Sequence, residues 1–279
     1  MNLSSPSQIK RLLQEYGFEF SKALGQNFLI NAAVTDRIAA AGGADKSTRV
    51  LEIGPGIGCL TQRLAERAAQ VTAVELDKRL LPILERTVGG LGNVNIVNAD
   101  IMEFDLASLP QDLPLTVCAN LPYYITTPVV MRLLQSRMFR QITVMVQKEV
   151  AVRLCSRPGC KDYGSVTAAV GYYSEPRMLF GVGAGSFMPA PKVDSAVVSL
   201  APVPPRCGPE AERMFFRLVR AGFGKRRKTL VNALSADPGI SKQAASAALA
   251  AVGVRADARA ETLGVQDFIN LAEYFISQK

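Results

Sequence analysis

A chain of 279 residues, 48% of them hydrophobic, is long enough for one large core or two unequal ones, and its ordinary Gly and Pro content shows no sign of disorder or a fibrous repeat. It contains no His, which excludes Ser-His and Cys-His nucleophilic catalysis, His general bases and most transition-metal sites. Lys and Arg outnumber Asp and Glu by 32 to 24, a formal net charge of +8 that points to a polyanionic partner, nucleic acid ahead of membrane, although such a surplus also serves solubility.

In chain order, helical spacing at 32–41 leads into an alternation of short apolar runs and amphipathic segments. Residues 49–53, 71–75, 94–97, 115–119 and 142–146 read as strands, with helices at 60–69, 78–88 and 128–135. This alternation predicts an α/β fold with a doubly wound, mostly parallel sheet covered on both faces. Segments 172–180 and 195–200 are expected to add later strands, their direction left open. The stretch Ala201-Pro202-Val203-Pro204-Pro205-Arg206-Cys207-Gly208-Pro209 holds four prolines and a glycine and continues neither helix nor sheet. Beyond it the spacing is helical only, at 210–221, 225–234, 241–252 and 265–276. The expected division is therefore 1–200, containing the sheet, and 201–279, a smaller all-α domain.

Five Cys, at 59, 118, 155, 160 and 207, form no Cys-x-x-Cys pair. They read as reduced, mostly buried thiols of a cytosolic protein, so neither a disulfide frame nor a metal site is expected. The first residues lack a signal-peptide core, and no run approaches the roughly 20 apolar residues of a membrane span. A cytoplasmic location, no membrane partner and a monomer are the expectations.

Four strand ends carry the chemistry. Glu52-Ile53-Gly54-Pro55-Gly56-Ile57-Gly58 follows the first strand and opens a helix, and its glycines let a ligand approach the backbone. A dinucleotide fingerprint would place another glycine where this chain has Cys59, so the loop fits an aminoacyl-nucleoside better than a pyrophosphate. Glu75 ends the second strand about 20 residues on, where an acid clasps ribose hydroxyls in doubly wound folds. Asp100, beyond the third strand, suits an exocyclic amine. Taken singly, each acid is also an ordinary cap or turn residue. Asn120-Leu121-Pro122-Tyr123 ends the fourth strand with an amide, a stiff turn and a flat ring, a set suited to a planar amine such as adenine. Its plain alternative is a turn in which Asn120 caps the next helix and Tyr123 packs.

Together with Gly25-Gln26-Asn27-Phe28-Leu29 and Phe187-Met188-Pro189-Ala190-Pro191-Lys192-Val193-Asp194-Ser195, these motifs resemble the ribosomal RNA adenine dimethyltransferases. These are class I, Rossmann-like methyltransferases that use S-adenosyl-L-methionine, and the bacterial enzymes dimethylate two adjacent adenosines near the end of 16S rRNA. The resemblance runs from about residue 22 to residue 234. It implies that Asn27 and Leu29 close over the cofactor and that Gly54 contacts its methionine part. By the same resemblance Glu75 holds the ribose, Leu76 lies against the adenine, Asp100 binds the adenine amine beside Ile101, and Asn120 borders both cofactor and target.

Methyl transfer from a sulfonium needs alignment and exclusion of water more than acid–base help. Asn120 and the Leu121 carbonyl would accept the two N–H groups of an adenine amine and favour an available lone pair on nitrogen. Tyr123 would stack on one face of the base and, by resemblance, Phe187 on the other; without the resemblance Phe187 reads as a core aromatic beside a proline turn. The run from Arg217 to Lys228 has six basic residues and no acid, with Arg220, Lys225, Arg226, Arg227 and Lys228 crowded around a glycine-containing bend. Such a run is ordinarily a solvated face, but the lack of acids within it favours phosphate contact. Arg153, Arg157 and Lys161 form a weaker second run.

The reading is thus a cofactor-dependent methyltransferase acting on the small ribosomal subunit during assembly. Its alternatives are an enzyme resembling the erythromycin-resistance methyltransferases of large-subunit rRNA, or a non-catalytic assembly or transcription factor that keeps the fold to bind nucleic acid. A nicotinamide-dependent oxidoreductase fits least, given Cys59 and the lack of any residue suited to hydride chemistry.

Overall fold

The computed structural model describes residues 3–21, 24–225 and 227–278. Helix α1 (Pro6–Glu15) starts with a proline at its first position, where no N–H is needed. The short strand β1 (Phe28–Leu29) follows, then helix α2 (Ala32–Ala41), whose Asn31 side chain accepts the Val34 N–H as cap. The alternation runs on through β2 (Arg49–Ile53), α3 (Cys59–Arg67), β3 (Gln70–Glu75), α4 (Leu81–Val88), β4 (Val94–Asn98), β5 (Leu115–Asn120), α5 (Thr126–Ser136) and β6 (Phe139–Gln147). Helices α6 (Lys148–Leu154) and α7 (Ser165–Tyr173) precede β7 (Ser174–Val182), β8 (Phe187–Met188) and β9 (Ser195–Pro202). The chain ends in α8 (Pro209–Phe223), α9 (Leu230–Leu234), α10 (Lys242–Ala251) and α11 (Val265–Ser277).

The main sheet has seven strands in the order β4-β3-β2-β5-β6-β9-β7. Neighbours from β4 to β6 are parallel, and β9 runs antiparallel to β6. Strands β2 and β5 are buried nearly throughout, as parallel strands covered on both faces must be, and so appear in sequence as mainly apolar runs, with Glu52 and Thr116 as buried polar exceptions. One core cluster joins α2 and α3 to Val50, Val71, Cys118, Met145 and Val197 of the sheet; another joins α1 to Phe28, Ile57 and Ile83. A second, two-stranded sheet pairs β1 with β8 antiparallel, placing Leu29 opposite Phe187 and Phe28 opposite Met188.

By its contacts the chain divides into two units, Met1–Ala151 with Arg177–Pro202, and Val152–Pro176 with Val203–Lys279. The proline-rich stretch marks one junction. Residues 152–176, read from sequence with the first region, instead belong with the C-terminal helices. Tyr163 meets the Phe223 ring and Tyr172 stacks near Phe215, both within the second unit. No linker composition announces this, because α6 continues directly from β6 and α7 runs directly into β7. The expected strand at 172–180 therefore begins two residues late, at Ser174, and the helix expected over 225–234 is formed only from Leu230. Among the described residues, no helix is long and apolar enough to cross a membrane.

Candidate functional site

The order of the parallel strands reverses between β2 and β5, so the connections that leave their carboxyl ends run to opposite sides of the sheet and leave a crevice. Ile53 pairs with Ala119, which sets Gly54 beside Asn120 across that gap. Gly54 has φ +67° and Gly56 φ +60°, a region that favours glycine. A Cβ on Gly54 would lie 3.7 Å from the Asn120 carbonyl oxygen, and one on Gly56 would come to 2.9 Å from the Phe28 ring. Gly56 therefore lets the Phe28 ring pack directly against the loop, while Gly54 lies within ordinary contact distance of Asn120. The resulting cavity holds about 780 Å³ including its open mouth, within the range of small-molecule sites. Gly54, Glu75, Leu76, Asp100, Ile101, Asn120, Leu121, Tyr123 and Asn27 all line it.

Glu75 is buried at the end of β3, its Oε2 accepting the Gly56 N–H at 3.2 Å and its Oε1 the Asp77 N–H at 2.9 Å. Burial pushes its carboxyl up to about 7, against the pull of those backbone donors. Below the glycine loop lies a second acid, Glu52, which is 1% exposed and has one oxygen without a hydrogen-bond partner. Burial, helped by the neighbouring Glu75 charge, raises Glu52 to about 8. Asp100 keeps the role of a turn residue, its Oδ1 accepting the Met102 N–H at 2.8 Å while the side chain borders the cavity. The Arg132 guanidinium of α5 clamps that turn by donating to the carbonyls of Ile101 and Phe104, the latter at 2.6 Å.

Asn120 does not cap α5. Its Nδ2 donates to the Asn27 carbonyl at 3.1 Å, which turns Oδ1 away as an acceptor with no partner among the described residues. The Leu121 N–H is tied to the Met145 carbonyl at 3.1 Å, fixing the turn that follows. Tyr123 is held at its far end by a 2.9 Å hydrogen bond between its hydroxyl and Ser195 Oγ, a buried group at the start of β9. This bond fixes the ring's direction and leaves its body half-exposed.

Two expected residues are placed elsewhere. Phe187 is 4% exposed and packs with Leu29, Val34 and Ile38; it does not line the cavity. Leu29, its partner in the β1–β8 pairing, is buried in the same cluster. The pairing turns both side chains into the core, so neither the second stacking face expected of Phe187 nor the closing role expected of Leu29 is visible in the cavity wall. Sequence reasoning in turn missed Gln26, Phe28 and Tyr124, which do line it. Tyr124 is 55% exposed, with its ring near Gly25, where an added Cβ would sit 3.7 Å away. An adjacent second tyrosine after the Asn-Leu-Pro turn was the available signal.

In the second unit, Arg220, Lys225, Arg227 and Lys228 are exposed around the α8–α9 turn and have no ion pair among the described residues. Arg226 lies outside the described residues. Arg217 departs from the expected free cluster: its Nε donates to Asp237 Oδ1 at 2.9 Å, an acid from beyond α9 that the local run does not show. Among the described residues there is no group of three or more His, Cys, Asp or Glu placed to hold a metal ion.

The model of a family described as ribosomal RNA adenine dimethylase matches residues 17–277. The ribosomal RNA small subunit methyltransferase A of Alkaliphilus oremlandii is 45% identical over 277 residues, covering 97% of this chain and 96% of its own length. That of Geobacillus thermodenitrificans is 45% identical over 281 residues, covering 97% and 96%. Among solved structures, a dimethyladenosine transferase from Plasmodium falciparum is similar with a TM-score of 0.75 and 26% identity, covering 89% of this chain and 97% of that one. The 23S rRNA methyltransferase ErmE is similar with a TM-score of 0.71 and 30% identity, covering 88% and 98%.

Proposed function

Because this chain belongs to the ribosomal RNA adenine dimethylase family, we propose that it dimethylates N6 of two adjacent adenosines near the 3′ end of 16S rRNA, on the assembling small subunit, with S-adenosyl-L-methionine as methyl donor. The choice of subunit is supported by identity, 45% to relatives named for the small subunit against 30% to ErmE. The observation that carries the chemistry is the state of Asn120, which lines the cavity with its amide nitrogen engaged by Asn27 and its side-chain carbonyl oxygen without a partner among the described residues.

The cavity suits the donor by its own chemistry. Two glycines with positive φ leave room for a ligand's aminoacyl part, Glu75 offers a buried acceptor for ribose hydroxyls, and Asp100 an acceptor for an adenine amine. Leu76 and Ile101 supply apolar walls for that ring. When bound, the cofactor supplies an electrophilic methyl group on a sulfonium.

The chain's own residues then have three tasks. Asn120 Oδ1 and the Leu121 carbonyl accept the N–H groups of the target amine, which draws its lone pair out of conjugation at the moment the new N–C bond forms. Tyr123, aimed by Ser195, stacks on the extruded base, an interaction typically worth ~1–3 kcal/mol. The amine then releases its proton to solvent; the second transfer needs a fresh cofactor, and the methylated amine then has one N–H left, so a single acceptor of the Asn120–Leu121 pair holds it. Arg220, Lys225, Arg227 and Lys228 supply phosphate contacts that hold the RNA without reading its sequence.

Small and large ribosomal subunits from cells lacking this protein, incubated with labelled cofactor, test the reading. Label is expected on adjacent adenosines of small-subunit rRNA, and label confined to the large subunit would refute the assignment.

A further inference from the structure

Asp77 lies just past the end of β3, 7% exposed and outside the cavity lining, yet its carboxylate is the meeting point of two segments. Oδ1 accepts the Arg79 N–H at 3.1 Å and Nε–H at 2.9 Å, and Oδ2 accepts Arg79 Nη2 at 2.6 Å and Gln26 Nε2 at 2.7 Å. Gln26 does line the cavity, beside Leu24, Gly25, Asn27 and Phe28. Its other amide atom, Oε1, accepts the Ser21 N–H at 2.8 Å. The Asp77 N–H meanwhile binds Glu75 Oε1, so one connected chain of hydrogen bonds runs from the glycine loop through Glu75 and Asp77 to Gln26.

We infer that Asp77 is a positioning residue for cofactor binding: through Gln26 it holds residues 24–27 as one wall of the cavity and so slows cofactor release. The inference rests on the S-adenosyl-L-methionine reading above. A purely structural role for Asp77 is already met by Arg79, which neutralises it and whose backbone N–H it caps. The bond to Gln26 is additional, reaches across 51 residues of sequence and ends on a cavity-lining side chain. It is also charge-assisted, the strong kind of hydrogen bond. The same wall is tied on its other side, where Asn120 holds the Asn27 carbonyl. Residues 24–27 are thus pinned between the ends of β3 and β5, the two strands whose ends bear the ribose-binding and amine-binding candidates.

The test measures binding and dissociation of S-adenosylhomocysteine, which involves no turnover, by calorimetry and by a competition chase. Gln26→Ala leaves the Asp77–Arg79 pair intact and is expected to weaken binding about tenfold, through faster release, a loss larger than any drop in the stability of the unliganded protein accounts for. Gln26→Glu is expected to be worse, because two carboxylates then face each other, and adding Asp77→Asn to it should recover affinity by restoring an amide–carboxylate bond. In steady state the cofactor KM should rise while the RNA KM stays constant. Wild-type release rates in Gln26→Ala, or a weakening of affinity that merely tracks reduced unliganded stability, would overturn the inference. Failure of the unaltered protein to bind S-adenosylhomocysteine would instead overturn the cofactor reading, and the inference with it.

Discussion

In the cavity of the first unit, each polar group facing the ligand space is braced by a second bond to the framework. Asn120 is turned by Asn27, Glu75 is held by two backbone N–H groups, Asp100 accepts from Met102, and Tyr123 leans on Ser195. On the α8–α9 turn of the second unit, Arg220, Lys225, Arg227 and Lys228 are exposed and form no ion pair among the described residues. The two surfaces therefore work by different physics. Braced groups act at fixed positions, where electrostatic stabilisation is large and local. Loose cations act through summed, screened attraction for phosphate. Loss of one braced group should change rate sharply, and loss of several loose ones should change affinity gradually.

The largest effect is expected from Asn120→Ala. Removing the oriented acceptor should lower kcat by about 10²–10³-fold with RNA binding retained, as for loss of one preorganised polar group. Full turnover in single-turnover assays would break the contrast at its first term. Next comes the combined change of Arg220, Lys225, Arg227 and Lys228 to Ala. The plot of log affinity against log salt should flatten by about 0.7–0.9 for each phosphate left without its cation, with kcat at saturating RNA unchanged. An unaltered slope would show that the turn does not touch RNA.

The same contrast explains what was legible in the sequence. Parallel strands buried on both faces write themselves as mainly apolar runs, so the sheet and the polar residues at its strand ends could be placed in advance. Brace partners could not, because they come from far along the chain: Asn27 is 93 residues from Asn120, and Ser195 is 72 from Tyr123. Phe187 shows the cost of that blindness. A proline-flanked aromatic reads alike as a stacking face or a core residue, and only the pairing of β1 with β8 places its side chain in the core. Charge on the basic turn was visible at once, since it is local, whereas the acid that takes Arg217 out of the cluster lies 20 residues away.

A third prediction concerns the acid beneath the cavity. The folded chain raises Glu52 from 4.5 to about 8 and Glu75 from 4.5 to about 7, in both cases chiefly by burial. Between those values the native state keeps protons that the unfolded chain has given up. Stability is therefore full below about pH 4.5 with respect to these groups, and falls as pH rises through about 7 and 8. Glu52→Gln preserves shape and removes one of the two titrations. Urea midpoints at about pH 5 and about pH 8.5 should differ less in the variant, which should be the more stable protein at the higher pH. An identical pH slope would mean that Glu52 ionises as freely in the fold as outside it.

The smallest effect sharpens the boundary of the basic surface. Arg217 belongs to the same run by sequence, but its guanidinium is engaged by Asp237 and by the Pro238 carbonyl. With side chains 41% and 20% exposed, the pair is only partly screened from water, so its contribution should be that of a surface ion pair, at most about 1 kcal/mol. Arg217→Ala should accordingly lower the unfolding midpoint slightly and leave the salt dependence of RNA binding where it was. If the slope instead fell by the amount expected for one lost phosphate contact, Arg217 would have to leave Asp237 when RNA arrives. The cost of breaking that pair would then be part of the binding free energy, and Asp237→Asn, which frees the guanidinium in advance, should tighten RNA binding.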